Sequence, residues 1–206
     1  MADIQLTPLQ HDAITELLNI GMGQAAASLS VMVGEEVKLS IPSVELLPRH
    51  VAAEQIEIHS SNRIAAIKQH FNGPFWGDAL LLFAEDKSIE LVKTIIKEDL
   101  PLEMLKELER DALLEIGNII LNACLASLAN VLTHELLSDL PVFVSGTAND
   151  ILKGTKENDL VMFLRMDFSL QTKEVDGYVA FVLEIPSIER FIHSINNYLG
   201  VITSAA

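Results

Sequence analysis

The sequence has 206 residues, half of them hydrophobic, and a formal net charge of −15. This length allows one or two domains with a substantial core, and the hydrophobic content argues against a disordered chain. The acidic balance argues against nucleic-acid binding, which needs a basic surface. An acidic surface suits a partner with exposed Lys or Arg, although it more often serves solubility alone.

The single cysteine and the hydropathy pattern indicate the cellular location of the protein. Cys124 is the only cysteine, which excludes an internal disulfide, and its apolar helical context predicts a small core residue. Residues 1–10 have neither the basic start nor the apolar run of a signal peptide. The apolar stretch 112–132 contains polar side chains that a membrane would bury at a cost; these are Glu115, Asn118, Asn122 and Asn130. The sequence therefore predicts a cytoplasmic protein with no membrane insertion.

The first helix has clear start and stop signals. Thr7 can cap it, Pro8 suits its first position, and Gln10 completes a capping box. The periodicity predicts a helix to about Val33, where Gly34 can end it.

The rest of the chain alternates between strand and helix patterns. We expect extended structure over Val37–Leu47, interrupted at Pro42, then strands over Ile56–His59, Ile64–Phe71 and Ala79–Phe83. Next come helices over Ser88–Ile96 and from Pro101 to about Leu137, and strands over Val142–Ser145, Leu160–Leu170 and Tyr178–Ile185. A helix over Ser187–Tyr198 is expected to end at Gly200.

One pattern occurs twice with an offset of 99 residues. It comprises an Asp, a Glu, an Asn and a Pro, found as Asp12, Glu16, Asn19 and Pro42 and again as Asp111, Glu115, Asn118 and Pro141. Ser88-Ile89-Glu90 and Ser187-Ile188-Glu189 have the same offset. A shared offset indicates duplicated halves, about 1–99 and 100–206. We expect a single α/β domain with pseudo-two-fold symmetry, in which two long helices carry the motifs and cover a mixed β-sheet.

On a helix, positions i, i+4 and i+7 share one narrow stripe. A polar stripe is usually a solvated helix face, but recurrence of the same Asp, Glu and Asn in both halves favours a functional surface. Asn is a poor helix residue and gains nothing there by propensity. We therefore expect the carboxamides of Asn19 and Asn118 to be exposed.

An exposed Asn beside a Glu has limited chemistry. Its amide can orient a water molecule, and the Glu can pair with a partner's Lys. The sequence shows no Gly-rich phosphate loop, no clustered His or Cys for a metal, and no Ser-His-Asp pattern. This combination predicts no metal or cofactor site in the chain and indicates that another protein brings the phosphate and the metal.

These residues resemble the CheC/CheX/FliY phosphatases of bacterial chemotaxis. The family signature is Asp-x3-Glu-x2-Asn-x22-Pro, and residues 19–30 and 115–119 are similar to its flanking patterns. Two intact motifs in this length look most like the CheC type. One departure is Leu18, where the family usually has Gly before the first Asn; Gly117 precedes the second, so the first site is expected to be the weaker.

The resemblance implies hydrolysis of the aspartyl phosphate on a CheY-type response regulator, with Mg²⁺ held by that partner. Asn19 and Asn118 would orient the attacking water, and Glu16 and Glu115 would pair with the partner's Lys. The resemblance gives Asp12 and Asp111 no clear role, and Pro42 and Pro141 would shape the chain after each helix. It also makes the deamidase CheD a possible second partner.

Two other interpretations stay open. The helices could form a non-catalytic module that docks a response regulator or a flagellar switch component, as in the related FliM, which lacks the Glu/Asn pairs. A two-carboxylate hydrolase using Glu16 and Glu115 is the third interpretation. It leaves both Asn residues without a role.

Overall fold

The structure is a computed structural model that describes residues 4–58, 63–96, 101–133, 135–152, 160–170 and 173–205. The described residues form six helices and seven strands. The helices are α1 Pro8–Val33, α2 Arg49–Ile58, α3 Glu85–Ile96, α4 Leu102–Val131, α5 Ala148–Ile151 and α6 Ile185–Ala205. The strands are β1 Val37–Pro48, β2 Ile64–Asn72, β3 Gly77–Ala84, β4 Leu137–Ser138, β5 Val142–Gly146, β6 Leu160–Leu170 and β7 Lys173–Leu183.

The strands form one sheet in the order β1-β6-β7-β3-β2, with β4 and β5 both paired to the outer edge of β2. Every strand pairing within the described residues is antiparallel, so the α/β class is confirmed but the predicted mixed sheet is wrong. The reason is the connectivity. β2–β3 and β6–β7 are hairpins, whose strands run antiparallel, and the two hairpins meet through the antiparallel pair β3–β7.

The outer strands of the sheet pair across the predicted division of the chain near residue 99. β1 from the first half pairs with β6, β5 from the second half pairs with β2, and β3 meets β7 at the centre. The 99-residue offset does not extend through the central strands, since Ala79 and Tyr178 pack against opposite faces of the sheet. The predicted division near residue 99 lies in 97–100, outside the described residues, and stays a prediction.

Helices cover both faces of the sheet. The larger core lies beneath α1, α3, α4 and α6, and the smaller core lies beneath the short helices α2 and α5. The two long helices α1 and α4 therefore cover one face together, as the sequence predicted. They are the elements that carry the repeated motif.

Several predicted elements differ from the structure, and β7, predicted over Tyr178–Ile185, extends from Lys173 to Leu183. The strand over Ile56–His59 is wrong, because residues 49–58 form α2, which buries Ala52, Ala53 and Ile56 at helical spacing; His59 lies outside the described residues. α4 ends at Val131 rather than Leu137, and α6 continues through Gly200. Thr133, just beyond the end of α4, has a φ of 54°, a conformation that no sequence signal indicated.

α4 contains a candidate membrane span. Its segment Glu103–Val131 is long and apolar enough to cross a membrane, and half of the most apolar window is buried inside the fold.

Cys124, in this segment, is fully buried, and burial raises the pKa of its thiol to about 12. The prediction of Cys124 as a core residue is confirmed.

Candidate active site

α1 carries the first motif on its outer side. The capping box at Thr7 and Gln10 starts the helix as predicted, with the Thr7 N–H donating to Gln10 Oε1 at 2.8 Å. Asp12 and Glu16 are exposed one and two turns later, and Asn19 is half-buried. No ion pair of Glu16 occurs among the described residues. The carboxylates therefore face outward, whereas the Asn lies closer to the protein surface.

Asn19 is bound at both ends of its carboxamide. Its Nδ2 donates to the main-chain oxygen of Ile41 at 3.0 Å, and the Ile41 N–H donates to Asn19 Oδ1 at 2.8 Å. Ile41 and Pro42 lie in a bulge between Ser40 and Ser43, where β1 loses its ladder pairing with β6. Asn19 thus replaces the missing strand partner of Ile41. This contact gives the 22-residue spacing between Asn and Pro a structural explanation, and it contradicts the expectation of a freely exposed Asn19.

The second motif lies on α4 in a different arrangement. Asp111 and Glu115 are exposed and Asn118 is half-buried, as in the first motif. Asn118 Oδ1 accepts a hydrogen bond from Asn122 Nδ2 at 2.8 Å. Within the described part of the chain, Asn118 Nδ2 has no hydrogen-bond partner. The amino group of this carboxamide is therefore available to a ligand.

The chain that follows α4 explains this difference. Leu140 corresponds to Ile41 by the 99-residue offset, yet it is 87% exposed, whereas Ile41 is 1% exposed. The segment 137–139 is held by β2 instead, with Ser138 opposite Phe71 and the Asp139 N–H donating to the His70 oxygen at 2.9 Å. Pro141 then precedes β5. Asn118 makes no contact of the Asn19 type with this segment in the residues that the structure describes.

The residues before the two Asn do not line either site. Leu18 is fully buried in the core, and a Cβ at Gly117 would lie 2.5 Å from Ile67 Cγ2. Gly117 is therefore required by contact with the sheet, and Leu18 cannot hold a docking protein away. The predicted reason for a weaker first site is wrong.

α1 and α4 cross in antiparallel directions. Ser127 Oγ donates to the Leu17 oxygen at 2.5 Å, and a Cβ at Gly21 would lie 2.7 Å from the Ala123 oxygen. Gly21 thus permits close helix contact, whereas no atom outside the adjacent backbone of α1 lies within 4 Å of a Cβ built at Gly23. With a rise of 1.5 Å per residue, Asn19 and Asn118 lie about 10 Å apart along the helices. The two motifs are therefore neighbouring but separate sites.

The structure adds side chains that the sequence did not single out as functional. Gln69 on β2 donates from Nε2 to Asn122 Oδ1 at 2.9 Å and to the Asp139 oxygen at 3.0 Å. Ser138 Oγ also donates to Asn122 Oδ1, at 3.4 Å. Asn122 could have been noticed from its position one turn after Asn118, but nothing in the sequence pairs it with Gln69. Among the described residues, no group of three or more His, Cys, Asp or Glu could hold a metal ion.

Comparison with known proteins gives the context of this geometry. No family model matches the chain. The flagellar motor switch phosphatase FliY of Bacillus subtilis is 22% identical over 201 residues, which cover 93% of this chain and 50% of FliY. The chain thus spans about half the length of that relative.

Solved structures share the fold. FliY of Thermotoga maritima superposes with a TM-score of 0.76 at 17% identity, covering 95% of this chain and all of that one. CheX of Desulfovibrio desulfuricans has a TM-score of 0.52 at 17% identity, covering 82% of this chain and 99% of its own. The comparisons confirm the resemblance to the CheC/CheX/FliY family. The FliM middle domain of H. pylori also shares the fold, with a TM-score of 0.64 at 11% identity, covering 92% of this chain and 99% of that one.

Proposed function

We propose that this chain is an aspartyl-phosphate phosphatase that acts on a CheY-type response regulator. The observation that carries the proposal is the Asn118 carboxamide, whose amino group is unpaired within the described residues and lies one turn after the exposed Glu115. The similarity to FliY and CheX supports this substrate class.

The proposed reaction needs positioning more than acid–base chemistry. Water attacks the phosphorus of the acyl phosphate, the bond to the receiver's aspartate oxygen breaks, inorganic phosphate leaves, and the receiver keeps a free carboxylate. Asn118 neither gains nor loses a proton; it holds the water in line, and the water's proton passes to the departing phosphate and solvent. Glu115 pairs with a Lys of the receiver, and Mg²⁺ held by the receiver would supply positive charge to the phosphoryl oxygens.

The two motifs are proposed to differ in role. Both polar atoms of the Asn19 carboxamide already bind the main chain of Ile41, so its hydrogen bonds stabilise the fold. The second site is therefore the main catalytic site, with Asn118 and Glu115, and Asn19 with Glu16 contributes less. Asp12 and Asp111 add negative charge to the docking surface. Pro42 and Pro141 shape the backbone that follows each helix.

A second candidate is a non-catalytic switch module. FliM middle domains share the fold, and one of the solved neighbours is a FliG–FliM complex of H. pylori with a TM-score of 0.65. Exposed apolar side chains beside the second site are the kind of surface that docks a protein; these are Leu137, Leu140 and Val142. CheD as a second partner and a cytoplasmic location are part of the same proposal.

Loss of phosphate from a labelled receiver distinguishes the two functions. Purified CheY-type receivers, phosphorylated with a small phosphodonor in Mg²⁺, are followed with and without the chain. A phosphatase accelerates the loss far beyond spontaneous decay at a substoichiometric ratio and turns over many receivers. Binding of the phosphorylated receiver with an unchanged rate of decay would instead establish the docking module.

A further inference from the structure

The carboxamide of Asn118 is oriented by a chain of hydrogen bonds that starts at a main-chain carbonyl. The oxygen of Asp139 can only accept, and Gln69 Nε2 donates to it at 3.0 Å. Turning the Gln69 amide around would place two acceptors against each other. Gln69 is 2% exposed, and its Oε1 is buried without a partner. The fold thus keeps this orientation even though it leaves one oxygen unsatisfied.

The orientation passes from Gln69 to Asn122. The same Nε2 donates to Asn122 Oδ1 at 2.9 Å, and Ser138 Oγ donates to that oxygen at 3.4 Å. With its oxygen held on this side, Asn122 directs its Nδ2 the other way. There it donates to Asn118 Oδ1 at 2.8 Å.

We propose that Asn122 and Gln69 are positioning residues that make Asn118 present its amino group, rather than its oxygen, to the ligand. The Asn118 oxygen faces Asn122, so the two N–H donors point away from the helix neighbour. Outward N–H donors match the oxygens of a phosphoryl group or of a water held against it. This inference rests on the proposed phosphatase function for its kinetic consequence, but the orientation itself does not depend on it.

The first motif has no such chain. The 99-residue offset places Gly23 at the position of Asn122, and no atom outside the adjacent backbone of α1 lies within 4 Å of a Cβ built there. Asn19 is oriented by the Ile41 main chain instead. The same motif residues therefore sit in two different hydrogen-bonding environments, and only the second leaves the amino group outward.

The substitution Asn122→Asp tests the orientation. A carboxylate can still accept from Gln69 and Ser138, but it cannot donate to Asn118. We expect the Asn118 carboxamide to turn and donate its own amino group inward. Side-chain amide resonances of ¹⁵N-labelled protein should show rapid hydrogen exchange of the Asn118 amino group in the unmodified chain and at least tenfold protection in N122D.

Kinetics provide the second readout. N122D should lower the maximal dephosphorylation rate about tenfold, because a misdirected positioning group loses part of its effect, and change the half-saturating receiver concentration less than twofold. Asn130→Asp, at an exposed position of the same helix, controls for the added charge. Gln69→Leu should reproduce the kinetic loss without adding charge.

The outcomes separate the inference from the proposed function. Unchanged Asn118 exchange in a folded N122D would overturn the orientation by Asn122, whatever the activity. If the protein shows the expected exchange but never accelerates dephosphorylation, the series of hydrogen bonds to Asn118 is supported and the phosphatase function is refuted. If the N118A variant were inactive while the N122D and Q69L variants were fully active, the positioning role would be refuted and the phosphatase function would stand.

Discussion

Asn19 closes a two-point hydrogen bond with the main chain of Ile41, 22 residues further along the chain. The contact ties α1 to the bulge of β1 at the point where the ladder with β6 is interrupted. Ile41 is 1% exposed, so Asn19 rather than solvent satisfies its main-chain groups in the folded protein. A residue that the family resemblance assigns to catalysis is therefore also part of the fold.

This contact predicts a stability difference between the two Asn residues. Asn19→Ala leaves the buried N–H and C=O of Ile41 unpaired, which should cost about 2–4 kcal/mol. Asn118→Ala removes one partly exposed hydrogen bond and should cost about 1 kcal/mol or less. Urea unfolding of both variants at equal ionic strength measures the difference. Equal free energies of unfolding would mean that Asn19 does not stabilise the bulge.

Activity should show the opposite order. Asn118→Ala is expected to lower the maximal dephosphorylation rate by about 10²-fold, because the water is no longer positioned. Asn19→Ala should lower it less once the folded fraction is taken into account, and the double variant should lose at least as much as N118A. Asn130→Ala, at an exposed position of α4, is the matched control. A folded double variant with near-normal activity would refute the catalytic assignment.

Leu18→Gly should fail to improve the first site. Leu18 is fully buried, so its removal leaves a cavity and loosens the helix, at a combined cost of about 3–6 kcal/mol. Leu9→Gly, at a 56% exposed position of α1, should cost only about 1 kcal/mol. Thermal unfolding and dephosphorylation rates are measured together. Higher activity of a stable L18G would restore the steric explanation that the buried Leu18 contradicts.

The exposed carboxylates should control docking. Replacing Glu16 and Glu115 by Lys should raise the half-saturating receiver concentration about tenfold at low salt, through repulsion from the receiver's Lys. The effect should shrink near 0.5 M salt, where exposed charges are screened. Glu54→Lys, an exposed charge reversal on α2 across the sheet, is the control. If the half-saturating receiver concentration did not depend on salt and were unchanged by the Glu16 and Glu115 reversals, the proposed ion pair would be excluded.

The backbone just after α4 is strained at Thr133, and a substitution can relieve that strain. Thr133 has a φ of 54°, in the left-handed region that disfavours β-branched residues, while Gly34 holds the corresponding position after α1 with a φ of 70°. Thr133→Gly should therefore raise the free energy of unfolding by about 1 kcal/mol, and Gly34→Ala should lower it by about the same amount. Chemical denaturation of the two variants measures both signs. A destabilised T133G would show that the Thr133 side chain makes a compensating contact.

Local signals in the sequence determined much of the architecture. Caps and apolar periodicity gave the bounds of α1, and strand patterns located β2, β3 and β6 within a few residues, because these signals act within a few residues of chain. The repeated motif identified the two helices of interest. Signals failed where packing decided instead, as in α2, which buries Ala52, Ala53 and Ile56 against the second face of the sheet.

The different hydrogen bonding of the two Asn residues was decided by tertiary structure. The motif residues are identical in both halves, and their sequence spacing is the same. What differs is the segment after each helix: β1 carries a bulge that binds Asn19, whereas β2 binds residues 137–139 and brings Gln69 to Asn122. Hydrogen bonds between residues 22 to 70 positions apart depend on how the strands pair, which no local pattern encodes.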